Sequence, residues 1–317
     1  MGILYHGSNI KGLKRIEPHQ STHGNYVYAT KLKELAYIFS SKAGDDCTYT
    51  LFRNSYSEPW QLVERVPEAF NVMYSGSAAI YTVSDTTFKD INTGFSELVS
   101  QTGVNINSEE DVNNIYDKIK ELASDGKINL YLYPNKPKEI PFDSSDLIEK
   151  QIKQSELRGR KISKNDFNRI LLFHPYLLDK INKKMSFLKI DEPPFNEDDI
   201  IELFEKTVIT QAVFPKREQF LKSIVSSVNN TYPKLTNKLL DVLTYFDLSK
   251  EKQVTHLINK LSINDDTEFI DYLKKTYEND QRSLSAIGQD ILQEAARKIE
   301  DTKNKQDDLN NQPKHKR

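Results

Sequence analysis

His6, Gly7 and Ser8 close a short apolar run, "ILYHGS", and Tyr28 lies near the end of a second one, "NYVYAT". On a strand, Leu4 and His6 face one side and Tyr5 and Gly7 the other. A glycine at the strand's end has no Cβ to keep a ligand away from backbone N–H and C=O groups. With the Ser8 hydroxyl beside it, the triplet offers a ring nitrogen, an open backbone edge and a hydroxyl, which suits a small polar ligand bearing an amide. Tyr26 and Tyr28 share a strand face, and Phe39 follows on the next predicted element. A strand running directly into a helix brings Tyr28 and Phe39 near enough to sandwich a flat heterocycle. Each feature also has a plainer reading: a structural histidine before a Gly-Ser turn, and two rings packed into a core.

The elements that must hold these residues read as follows. Residues 1–135 are mixed, with more strand than helix. "ILYHG", "NYVYAT", "CTYTLFR", "AAIYTVS", "ELVSQTGVNI" and "INLYLYP" are apolar or aromatic runs bounded by turn residues, the pattern of strands. "SNIKGLKRIEPHQSTHG" is a polar connection with room for one helical turn. Its Lys14 and Arg15 read as ordinary surface cations. "KLKELAYIFSSKA" sets Leu32, Leu35, Ala36 and Phe39 at helical spacing, with Thr30 as the N-cap. "NSEEDVNNIYDKIKELASDG" predicts another helix, with an acidic first turn and Gly126 just past its end.

Three prolines in "YPNKPKEIPFDSS" mark a stiff connector over 136–144. From 145 to 303 the pattern is helical, with short polar breaks and almost no glycine. The stretch 304–317 is polar and expected to be disordered. "RGRKISKN" in this half reads as a solvated basic loop, and "FHPYLL" as a structural histidine at a helix break. The expected architecture is therefore α+β over 1–135, a small split sheet with flanking helices, followed by an all-α domain.

The 317 residues exceed one usual domain, and 37% apolar with 28% charged residues fits a globular protein with a long polar surface. A net charge of −2 gives no global attraction to nucleic acid or to an anionic membrane. Cys47, the one cysteine, has no partner for a disulfide within the chain, and no Cys/His spacing supports a metal site. No apolar run approaches the ~20 residues of a membrane span, and "MGILYHGS" lacks the shape of a signal peptide. The expected location is the cytoplasm, without membrane association.

In order and spacing, His6-Gly7-Ser8 and then Tyr28 with an aromatic residue further on resemble the ADP-ribosyltransferase fold. The resemblance is to its His–Tyr–Glu group, which includes the diphtheria-type toxins and the poly-ADP-ribose polymerases. "YAT" resembles the "YST" of the toxins, and Phe39 stands where a second tyrosine is usual. The third motif of that group is a glutamate on a later strand. "FSELVSQTGVNI" supplies Glu97, with Leu98 where an aromatic residue is frequent, and "PWQLVERVPEAF" supplies two rivals, Glu64 and Glu68. The likeness covers less than half of the chain.

The resemblance implies an enzyme that uses NAD as substrate, without metal, releasing nicotinamide and passing ADP-ribose to a macromolecular acceptor, protein or nucleic acid. It implies that His6 bonds the adenosine-side ribose and that the Gly7 backbone pairs with the nicotinamide amide, assisted by Ser8. Tyr28 and Phe39 would stack the nicotinamide, Arg15 would meet the pyrophosphate, and Glu97 would bond the reacting ribose. NAD glycohydrolase activity is the same chemistry with water as acceptor. The helical half would serve targeting or regulation, or bind an antitoxin, immunity or regulatory protein. The related tRNA 2′-phosphotransferases rely on several arginines, whereas the early region here holds only Arg15, Arg53 and Arg65. Phe39 and Leu98 leave open a catalytically degenerate domain that binds NAD, ADP-ribose or a protein partner. A helical scaffold joined to an unrelated β domain is the third reading.

Overall fold

In a computed structural model, the described residues are 2–21, 23–41, 46–211, 217–228 and 232–249, with isolated positions at 252, 253, 255, 293 and 297. The chain divides into two compact units, Met1–Asp146 and Leu147–Arg317. The protein is a mixed α+β structure with a curled antiparallel sheet and several helices. In chain order the first unit contains β1 (Ile3–Ser8), β2 (Arg15–Ile16), β3 (His19–Ser21), β4 (Gly24–Thr30), α1 (Lys33–Phe39), β5 (Tyr49–Phe52) and β6 (Trp60–Glu64). It continues with α2 (Ala69–Met73), β7 (Ala78–Ser84), β8 (Glu97–Ser100), β9 (Val104–Val112), α3 (Ile115–Ser124) and β10 (Ile128–Tyr131).

The main sheet has the order β2-β9-β7-β1-β4-β3, with β8 also pairing with β4. β1 lies along β7 over its full length, Ile3 opposite Ser84 through to Ser8 opposite Ala79. A smaller sheet sets β6 between β10, parallel, and β5, antiparallel.

Both faces of the main sheet are covered, and the two-residue alternation of β1 and β7 sorts the side chains. Leu4, Ala79, Tyr81 and Val83 join Ile16, Val27, Ala29 and Val104 in one apolar cluster. Tyr5, Ala78 and Ile80 face the other way, into a larger cluster with Leu35 and Ile38 of α1, Phe70 of α2 and Ile119 of α3. Fully burying a Leu, Ile or Phe side chain contributes about 1.5–3 kcal/mol relative to leaving it exposed. Helix α1 is tied down further where Lys33 and Tyr37 both bond the Glu110 carboxylate of β9.

Three local expectations need correction. Among its described residues the connection after β1 holds no helical turn but the short strands β2 and β3, so Arg15 lies on a strand paired with Asn105 of β9. The acidic run Ser108–Asp111 is strand, not the first turn of a helix, because it pairs with β7. The helix begins instead at Ile115, where Asn114 Oδ1 accepts the Asp117 N–H at 3.1 Å. Its end follows the sequence: Gly126 has φ +69°, and Lys127 N–H reaches back to the Leu122 carbonyl at 3.0 Å. Thr30 does not cap α1, whose N-cap is Leu32. The Thr30 hydroxyl instead accepts the Leu32 N–H at 3.1 Å and donates to the Ser96 carbonyl at 2.6 Å, joining β4 to the start of β8.

The described elements of the second unit are helices: α4 (Asp146–Leu157), which opens on the last residue of the first unit, then α5 (Asn168–Phe173), α6 (Leu178–Phe187), α7 (Glu197–Gln211), α8 (Arg217–Val228) and α9 (Pro233–Leu243), with short 3-10 turns. The run "NDFNRILLFHPYLLDKINKKM" is broken at His174-Pro175, since proline cannot donate to the preceding turn. Helices expected from "KEKQVTHLINKL" onward and the polar tail lie outside the described stretches. Among the described residues, no helix is long and apolar enough to cross a membrane.

Candidate functional site

β1 and β4 pair at a single position, Tyr5 opposite Thr30. Past that point a cavity of about 760 Å³ is lined by both strands and by residues of α1 and β8. His6 belongs to it, and its Nδ1 lies 2.7 Å from the carbonyl oxygen of Tyr28. A carbonyl can only accept, so Nδ1 carries the proton. Burial holds the ring below the usual histidine range, reinforced by His19, while the bond to Tyr28 acts in the opposite direction. The neutral ring therefore presents Nε2 as an acceptor, suited to a hydroxyl donor.

Gly7 and Ser8 line the same cavity. A Cβ on Gly7 would fall 1.8 Å from the Ala36 carbonyl, so the glycine lets α1 lie directly on β1. The expectation was that the missing Cβ makes room for a ligand; the space it leaves is filled by the helix, and Gly7's remaining contribution is backbone. Ser8 Oγ accepts the Ile10 N–H at 3.1 Å.

Tyr28 and Phe39 both line the cavity, but their rings meet other rings. Tyr28 lies 6.0 Å from His19 and 6.1 Å from Tyr26, and Phe39 lies 5.6 Å from Phe95, edge to face. The Tyr28 hydroxyl is buried and has no hydrogen-bond partner among the described residues. Buried polar groups are usually satisfied, which makes this hydroxyl an exception.

Glu97 opens β8 opposite Thr30 of β4 and reaches the same cavity. Burial pushes its carboxyl up to about 7, partly opposed by the Thr93 hydroxyl, which donates to Oε2 at 3.3 Å. The rival acids lie elsewhere. Glu64 ends β6 and is buried, its carboxylate accepting the N–H groups of Phe70 at 2.8 Å and Tyr133 at 3.0 Å. Glu68 is the N-cap residue of α2 and bonds Asn71. Neither lines the cavity. Arg15 does, but its guanidinium is engaged by Glu17 at 2.7 Å, the Gly103 carbonyl at 2.9 Å and Asn105 at 3.0 Å.

The sequence reading missed Thr93 and Phe95. Phe95 packs against Phe39 and, at 5.9 Å, against Trp60, closing the site beside Glu97. An aromatic residue two before the glutamate was its only signal. In the second unit two of the four cations of the basic run are paired within that unit, Arg160 with Asp166 at 2.5 Å and Lys164 with Asp199 at 3.2 Å. His174 is buried there, with Nδ1 2.7 Å from the Tyr176 hydroxyl.

One cavity thus joins a neutral imidazole acceptor, strand backbone, two aromatic rings and a carboxylate that ionises near neutrality. The set can bind a ligand rich in hydroxyls with a flat ring, and can stabilise positive charge developing next to Glu97. Compared with protein-family models, curated protein sequences and solved structures, the chain has no match.

Proposed function

We propose that the protein is an NAD-dependent ADP-ribosyltransferase, releasing nicotinamide and passing ADP-ribose to a macromolecular acceptor. The observation that carries this reading is the single cavity of about 760 Å³ that gathers His6, Gly7, Ser8, Tyr28, Phe39 and Glu97 from four separate elements. That three motifs from distant parts of the sequence line one cavity supports this reading.

In this reading His6 Nε2 accepts a hydroxyl of the adenosine-side ribose, and Tyr28 and Phe39 contact the nicotinamide ring. The bond between C1″ of the ribose and the nicotinamide nitrogen breaks, its electron pair leaving with nicotinamide. Positive charge spreads over the ribose, and ionised Glu97 gains attraction as that charge grows, so it acts on the transition state more than on bound NAD. Arg15, held by three protein groups, is a poor candidate for the pyrophosphate. The two-unit architecture suits a catalytic unit joined to a helical one that targets or regulates it.

The test is to follow nicotinamide release and the fate of the label from adenylate-labelled NAD, beside Glu97→Gln. Release abolished by the substitution supports the transferase. Binding of NAD without release points to the degenerate reading, which Phe39 favours because its ring lacks a phenol and is engaged by Phe95. Neither binding nor release overturns both.

A further inference from the structure

A second cavity, of about 810 Å³, lies against the first, and Phe95 and Glu97 line both. Its distinctive feature is Arg53, half-buried, with its guanidinium 4.4 Å from the Tyr56 ring and 4.6 Å from the Trp60 ring. Nη2 donates to Ser96 Oγ at 2.7 Å, next in sequence to Glu97. Among the described residues no carboxylate pairs with this cation. With the Tyr56 and Trp60 rings against the guanidinium and Nη2 on Ser96, what it offers a ligand is its remaining N–H donors, which match a phosphate. Lys31 lines the same cavity. Trp60 is 4% exposed, whereas Tyr56 is 91% exposed, so the face of its ring turned away from Arg53 is open to a ligand.

Building on the transferase reading, we propose that this cavity is the acceptor subsite and that the acceptor is a single-stranded nucleic acid. A base stacks on Tyr56 and a phosphate sits on Arg53. Stacking plates beside backbone-tracking cations are how proteins hold single strands without a duplex. The side-chain amide of Asn92, also in the cavity, offers a donor and an acceptor for a base edge. An acidic protein side chain fits less well: it would answer Arg53 but leave Tyr56 unused and most of 810 Å³ unfilled. In the step itself, a nitrogen or oxygen of the nucleotide gives its electron pair to C1″ of the ribose. The bond to nicotinamide breaks with its pair on nicotinamide, and the nucleophile's proton passes to the Glu97 carboxylate and on to water.

The experiment uses the full chain and short fluorescein-labelled strands of mixed sequence, RNA in one arm and DNA in the other, with anisotropy read over a salt series. Adenylate-labelled NAD is then added and the label followed. Binding of either strand that weakens about tenfold or more in Tyr56→Ala is expected. Arg53→Lys, which keeps the charge but not the fork, should weaken it as well. Because Tyr56 is almost wholly exposed, its loss cannot be mistaken for unfolding. Equal binding by wild type and Tyr56→Ala overturns the subsite, as does transfer of label to a glutamate-rich peptide with the strands left unlabelled. Tyr56-dependent strand binding without nicotinamide release keeps the strand site and overturns the transferase reading instead.

Discussion

The imidazole of His6 is tied through Nδ1 to the carbonyl oxygen of Tyr28 at 2.7 Å, across the place where β1 and β4 stop pairing. One bond thereby joins two of the motifs and fixes which histidine nitrogen carries the proton, in a cavity that both residues line. His6→Ala should lose both this bond and the Nε2 acceptor. NAD binding, measured by calorimetry, is expected to weaken by roughly tenfold or more, since a hydrogen bond is worth about 0.5–1.5 kcal/mol and an unpaired buried group costs more. Affinity unchanged in this variant would remove His6 from the ligand site.

On the transferase reading, Glu97→Gln should reduce nicotinamide release about a hundredfold or more while NAD still binds, the loss typical of removing one electrostatic stabiliser. In the wild type, the rate should rise with pH through about 7, because only the ionised carboxylate stabilises a cationic ribose. A rate that falls over that range would mean that the acid form is the active one.

The same carboxyl should leave a mark on stability. Its folded-state proton is held up to about 7, whereas in an unfolded chain it leaves near the ordinary value of 4.5. The folded form therefore binds more protons between those pH values, and stability falls as pH rises through the window. Glu97→Gln is expected to be more stable than wild type at pH 8 by roughly 2 kcal/mol, discounted for partial exposure, and equal to it near pH 4. Denaturant titrations at the two pH values check this.

Gly7→Ala should destabilise the first unit. The new Cβ would lie 1.8 Å from the Ala36 carbonyl, and a helix backbone yields less easily than a side chain. Overpacking of this kind costs about 1–3 kcal/mol or more, visible as a lower unfolding midpoint. A neutral result would mean that α1 shifts freely on β1.

Tyr28→Phe removes a buried hydroxyl that has no partner among the described residues. Thermal unfolding should show stability equal or higher, by up to about 1 kcal/mol. A loss of several kcal/mol would show that the hydroxyl is satisfied after all.

Much of this was legible in the chain. Period-two alternation places β1, β4 and β7 because side-chain direction is a local property of extended backbone, and Gly126 ends α3 because only a residue tolerant of φ +69° fits there. The residue types at His6, Tyr28 and Glu97 likewise announce what chemistry they can do. Where local signals competed, the sequence misled. The acidic run before Val112 looks like a helix start, yet β7 needs a partner strand, and long-range pairing overrides a first-turn preference. "WQLVE" carries no strand signal beyond its apolar residues, yet it is a buried strand whose Glu64 is consumed by two backbone N–H groups.

Tertiary structure alone decided the rest. Only the register that sets Thr30 opposite Glu97 brings the acid to the cavity of His6, and only the lie of α1 on Gly7 brings Phe39 there. The same folding removed Glu64 and Glu68, engaged Arg15, and set Arg53 against the rings of Tyr56 and Trp60. Which residue types are available is written along the chain. Which of them meet depends on strand register and helix docking, set by contacts between residues far apart in sequence.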